Sequence, residues 1–221
     1  MKYIFYKEAI KLRTPLIAAF VVNIAVAVYL YFRVRVGFVM QEPTMIWFDI
    51  IEKNAFFFDR VSMPIAVSAF VLGILQFYPE ADRRRFRISC HLPVNENVTL
   101  SYMLLFGLLS IVCLWLTGTI GAMVVSCAFF PYDLQIHVPT VMAYKLMLAV
   151  TLYMIASCAA LEHSWKDKLI VVLLMGGAVW FFNVLLYRPS VCYTLFAALI
   201  SVISMVTLYY PALGYRAGGR A

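Results

Sequence analysis

Between two long apolar runs of this chain lies Tyr78-Pro79-Glu80-Ala81-Asp82-Arg83-Arg84-Arg85-Phe86-Arg87-Ile88-Ser89-Cys90-His91-Leu92-Pro93, where acids, arginines, an aromatic ring and two prolines fall together. Pro79 cannot donate to a helix ladder and biases Tyr78 away from helical angles, so an incoming helix is expected to stop there. Over 82–90 a short helix would stack Arg83 and Arg87 on one side and set Phe86 near Cys90 on another. Leu92-Pro93 closes it. The chemistry on offer is recognition by charge and ring, not bond making. A positively charged orientation anchor explains the arginines, but it leaves Phe86 and the Leu92-Pro93 stop without a purpose.

No other constellation in the sequence reads as catalytic. There is no G-x-S-x-G, H-E-x-x-H or C-x-x-C, and no G-x-x-x-x-G-K-[ST] to cradle nucleotide phosphates. His91 and His163 map to one membrane border and His137 to the other, where histidines are ordinary interfacial residues. No metal site and no enzymatic activity are expected. Asn23, Lys145 and Asn183 are the polar residues expected within apolar runs, where polarity is expensive and points to function by default. Lys145 is close enough to the end of its run for its stem to snorkel. Asn23 and Asn183 form a candidate intramembrane polar site, with an interhelical hydrogen bond by Asn183 the plainer alternative.

The elements that position these residues follow from composition. The 221 residues are 64% hydrophobic and 13% charged, too apolar for one soluble core to hide. Runs of about 17 to 25 apolar residues cross a hydrocarbon layer as helices. They occur at 16–32, 61–78, 100–125, 139–161, 169–187 and 191–213, without the alternation of a membrane barrel. The expected fold is all-α and polytopic, with six transmembrane helices over 16–213. Lys2, Lys7, Lys11, Arg13, Arg83, Arg84, Arg85, Arg87, Lys166, Lys168, Arg216 and Arg220 then share one side, which the positive-inside rule makes cytoplasmic, together with both termini. The net charge of +7 becomes the charge of a face against anionic lipid, not a nucleic-acid footprint. The first run ends in Arg33-Val34-Arg35 without a cleavage site and reads as a retained span.

Around this frame, residues 1–15 read as a cytoplasmic interfacial helix ended by Arg13-Thr14-Pro15. Residues 44–54 read as an outer interfacial helix, 79–99 as a cytoplasmic loop and 214–221 as a cytoplasmic tail. Small residues should mediate packing, with Gly118, Ala122, Ala156, Ala160, Gly176, Gly177, Ala197, Ser201 and Ser204 as candidates. Cys113 and Cys158 read as packed thiols. Cys127 and Cys192 map to the outer side, where a bridge is open but not specified by sequence.

Six spans with an interfacial N-terminal helix, and an acid followed by a short cytoplasmic element ending in Leu-Pro between spans two and three, resemble the membrane subunits of ABC transporters of the ABC-2 class. The matching positions are Glu80, the 83–89 element and Leu92-Pro93, although arginines stand where that family often has Gly-Thr or Gly-Ser. The resemblance implies a permease subunit of an ATP-driven exporter in a bacterial-type inner membrane. It further implies a separate P-loop ATPase carrying the ATP and magnesium, and a second membrane subunit as homodimer or heterodimer partner. Glu80, Asp82, Arg83, Arg84, Phe86, Arg87, Leu92 and Pro93 would be the ATPase-coupling residues. Two other classes remain: a non-catalytic scaffold subunit of a larger membrane complex, using 79–94 as a static contact, and an intramembrane enzyme, which lacks a matched set of groups.

Overall fold

A backbone without water to bond closes its hydrogen bonds within helices. The computed structural model describes residues 2–40, 59–82, 96–162, 164–187 and 191–207, and every regular element among them is helical. They are α1 (Lys2–Met40), α2 (Asp59–Asp82), α3 (Glu96–Phe129), the four-residue α4 (Tyr132–Gln135), α5 (His137–Leu161), α6 (Trp165–Tyr187) and α7 (Val191–Thr207). α1, α2, α3 and α5 are long and apolar enough to cross a membrane. Their outward faces carry Val21, Ile24, Val28, Val67, Leu105, Leu109 and Ile120 in exposed positions, an apolar surface suited to lipid. The chain is an all-helical integral membrane protein.

α1 departs from the expected short helix, turn and span. It runs unbroken from Lys2 to Met40 with Pro15 inside it. Proline removes one ladder bond, to the Lys11 carbonyl, and the helix continues through it with the bonds on either side retained. Its buried positions Glu8, Leu12, Ala19, Asn23, Leu30 and Val34 recur as two series eleven residues apart. Eleven residues are close to three full turns, so these positions form a straight seam along one side of the helix. Pro79 likewise fails to end its helix: α2 continues to Asp82. The first of the missing bonds in that last turn would have joined the Leu75 carbonyl, and the next carbonyl along, of Gln76, accepts from Lys11 Nζ instead.

Contacts fix the helix directions. Phe5 meets Tyr102 and Phe106 edge-on at 6.0 and 5.8 Å, and at the other end Phe38 stacks on Phe129 at 5.9 Å. α1 and α3 are therefore parallel. Lys11 reaches the end of α2 while Leu12 clusters with Leu72, so α2 runs the opposite way. α5 lies at the centre, with Val138, Met142, Ala149, Tyr153 and Leu161 fully enclosed. It packs on α2 through Gly73, where an added β-carbon would sit 2.7 Å from the Tyr153 carbonyl oxygen and 3.1 Å from Ala156 Cβ. Trp115 Nε1 donates to the Met142 carbonyl at 2.7 Å and joins α3 to α5. Thr151 and Ser201 hydroxyls, 3.1 Å apart, join α5 to α7. Trp115→Phe should lower the unfolding free energy in detergent by about 1 kcal/mol, the usual net value of one such bond; an unchanged thermal midpoint would remove this bond from the account.

The small residues divide. Ala122, Ala156, Ala197, Ser201 and Ser204 are buried between helices as expected. Among the described residues, Gly176 and Gly177 have no atom within 4 Å of where a side chain would begin, so the glycine packing expected on α6 is not seen there. Cys158 is buried, but Cys113 is exposed rather than packed. Cys127 is a free thiol, 3.5 Å from Gln135 Oε1. Residues 44–54, 83–95 and 214–221 lie outside the described residues.

Candidate functional site

Five polar side chains from two helices converge where α2 ends. On α2, Gln76 and Glu80 are one turn apart and so share a side. On α1, Lys7, Glu8 and Lys11 fall within one turn of the N-terminal segment. Lys7 Nζ stands 2.9 Å from Glu80 Oε1, and Lys11 Nζ donates to the same oxygen at 3.3 Å. The Glu80 side chain is 4% exposed, Lys11 18% and Lys7 51%. One ammonium is thus anchored at the surface and the other inside. Two carboxylates face two ammonium groups, and this balance of charge is what allows four ionisable groups to sit at one helix junction.

Below the ion pairs the network turns neutral. Gln76 Nε2 donates to the Met103 carbonyl on α3 at 2.8 Å, and Tyr153 Oη on α5 donates to Gln76 Oε1 at 2.7 Å. Ser157 Oγ donates to the Tyr153 carbonyl at 2.7 Å. Gly107 of α3 lies directly beneath the Tyr153 hydroxyl, leaving no room for a β-carbon. Four helices, α1, α2, α3 and α5, meet through this knot.

Glu8 is the group this arrangement satisfies least. It is fully buried, neither carboxylate oxygen has a partner at good hydrogen-bond geometry among the described residues, and Lys11 Nζ stands 3.8 Å away, beyond hydrogen-bond reach. The ion pairs and hydrogen bonds tie four helices to one another at this point, the geometry of a mechanical joint. It can fix the angle between α1 and α2 and can exchange a proton at a carboxyl.

Of the residues singled out by sequence, Glu80 belongs to this joint, with its carboxylate turned onto α1 and closed to solvent. Asp82 is the last residue of α2, and its side chain lies outside the described residues. Arg83, Arg84, Phe86, Arg87, Leu92 and Pro93 also lie outside them. Asn23 is 1% exposed in the α1 seam, with neither amide atom hydrogen-bonded. Asn183 is on α6 with its side chain outside the described residues, so the two asparagines are not brought together by any observed contact. Lys145 is buried at 6% exposure.

Comparison with known proteins gives no relative. No family model, no curated protein and no solved structure matches the chain. Geometry alone therefore carries the functional argument, and the residues central to it were only partly visible beforehand. Glu8, Gln76 and Tyr153 were not singled out from sequence. The usable signal was Gln76 placed four residues before Glu80 in an otherwise apolar helix, facing a Lys-Glu-x-x-Lys pattern at the start of the chain.

Proposed function

We propose that this chain is the membrane subunit of an ATP-driven transporter of the ABC-2 type, acting as an exporter. In this reading six helices span a bacterial-type inner membrane with both termini cytoplasmic. The alternation of α1, α2, α3 and α5, together with two further apolar helices, is compatible with that count. A separate P-loop ATPase docks on the segment that follows α2, through Arg83, Arg84, Phe86 and Arg87, and a second membrane subunit completes the pathway.

The observation that supports the reading best is the buried joint at Glu80. A segment that receives force needs a stiff root, and its root here is ion-paired to α1 and hydrogen-bonded through Gln76 to α3 and α5. Motion imposed on the loop would be passed to four helices as rigid bodies instead of fraying the end of one. A static scaffold contact has no comparable need for a braced root.

The reading is tested by affinity purification of the full chain from membranes, followed by assay of nucleotide hydrolysis in the eluate. A P-loop ATPase should co-purify with the wild type and be lost from Phe86→Asp and from Arg83→Glu/Arg87→Glu, while insertion is unchanged. Recovery of the same ATPase with both variants would refute docking at this segment, and recovery of none with the wild type would favour the scaffold.

A further inference from the structure

On the outside of the bundle, α2 and α6 both lean on α5 without closing on each other. The gap is a groove of about 290 Å³ with a floor of Ala156 and Ala159, one wall of Phe70 and Ile74, and an opposite wall that includes Leu169 and Val172. Its volume is about twice that of a ~150 Å³ apolar cavity able to take up benzene. From Lys168 to Met175 the α6 wall rises roughly 10 Å at 1.5 Å per residue. The small side chains of the floor are what make the space: Ala156 is committed to the close approach of Gly73, and Ala159 stands one turn further on.

The groove is apolar throughout. At the beginning of α6 it ends on Trp165 and the stem of Lys168, whose ammonium adds no surface to the lining and stands 5.7 Å from the centre of the Trp165 ring. That end lies at the same end of the bundle as Leu161 and Glu80, since α2 and α5 run in the same direction. An amphipathic ring with an ammonium over it is the arrangement favoured at a headgroup boundary. Lys166 is exposed beside it, Lys168 and Asp167 are both half-buried and Glu162 is buried, so two cations stand against one partly accessible acid at this end.

We propose that the groove holds one acyl chain of an anionic glycerophospholipid, with the lipid phosphate at Lys168 and the chain lying over Ala159 between α2 and α6. Apolar walls alone would take any hydrocarbon. The Lys168 ammonium at the edge of the groove, with Lys166 exposed beside it, selects a lipid with a negative headgroup. Exposed Leu169 and Val172 leave the groove open sideways to the bilayer, the direction from which a lipid enters. This inference rests on the protein being membrane-embedded and is independent of the transporter reading.

The experiment is native mass spectrometry of the full chain in detergent, titrated with phosphatidylglycerol or with phosphatidylcholine of the same acyl composition. Retention of phosphatidylglycerol should exceed that of phosphatidylcholine by about fivefold, the equivalent of ~1 kcal/mol for one basic side chain at a membrane surface. Lys168→Gln should erase that preference while leaving chain binding in place. Ala159→Phe should block both lipids; Val172→Phe, at an exposed wall position that does not challenge folding, should do the same. Inorganic phosphate should not displace the bound lipid. Equal retention of the two lipids by the wild type would overturn the proposal, as would unchanged retention by Val172→Phe with intact helical circular dichroism.

Discussion

Glu80→Ala is expected to lower the unfolding free energy of the bundle by about 3 kcal/mol, the lower end of the range for removing one partner of a buried ion pair. The carboxylate is almost completely enclosed and serves two ammonium groups, at 2.9 and 3.3 Å. Without it Lys7, half-exposed, turns to water at little cost. Lys11 cannot, because its ammonium is held between α1 and α2 with only the Gln76 carbonyl and the distant Glu8 carboxylate left to it. A double-mutant cycle in thermal or denaturant unfolding separates the two. Coupling between Glu80 and Lys11 should exceed that between Glu80 and Lys7, which should fall within the ~1 kcal/mol typical of a solvent-exposed pair. Equal coupling, or an Ala variant as stable as the wild type, would show that the joint carries no load. Glu80→Gln should be milder than Glu80→Ala, since an amide oxygen can still accept from Lys11.

How far the joint could be read in the sequence is instructive at particular residues. The apolar runs were legible because lipid imposes a length and forbids unpaired backbone; α2 and α3 follow them with a few residues added at each end, and α5 with a few added at its start only. Pro15 and Pro79 misled for a common reason. Rules for proline are drawn from helices with water at hand, where a broken ladder is easily replaced by solvation. Here α1 and α2 both continue past the ring, and Lys11 meets a carbonyl in the last turn of α2. Glu80 was legible as a special acid, yet its partners were not, because the two lysines that hold it lie some seventy positions earlier. Only the burial pattern of α1, with its two series of positions eleven residues apart, shows that Glu8 and Asn23 belong to an inward seam. The polarity of Glu8 concealed it, as an acid is normally assigned to the outside, whereas Asn23 already stood out as a polar residue within an apolar run. Gly176 and Gly177 erred in the other direction: small residues permit close packing, and on α6 no neighbour among the described residues uses the permission.

The largest single-residue effect is expected at Gly107, where the neutral half of the joint is assembled. A β-carbon added there would stand 2.7 Å from Gln76 Oε1 and closer still to Tyr153 Oη and Cζ. These are not the mobile ends of surface side chains. Tyr153 is fully enclosed, its hydroxyl is spent on Gln76, and Gln76 is tied in turn to the Met103 carbonyl. Relief therefore strains the packing of α3 against α5 and also pushes the tyrosine off its bond, leaving Gln76 Oε1 buried without a donor. Overpacking costs about 1 to 3 kcal/mol, and an orphaned buried acceptor about as much again. Gly107→Ala should accordingly cost about 4 kcal/mol, measured as the loss in unfolding free energy in detergent. Helix propensity pulls the other way, since alanine is favoured over glycine inside a helix by about 1 kcal/mol. The size of the change thus depends on Tyr153. In a Tyr153→Leu background, where no ring reaches across to α3 and only Gln76 Oε1 remains close, the cost of the same Gly107→Ala substitution should be clearly reduced. A cost that persisted undiminished in that background would place the clash elsewhere, and the meeting of α2, α3 and α5 at Tyr153 would no longer explain why a glycine stands in the middle of α3.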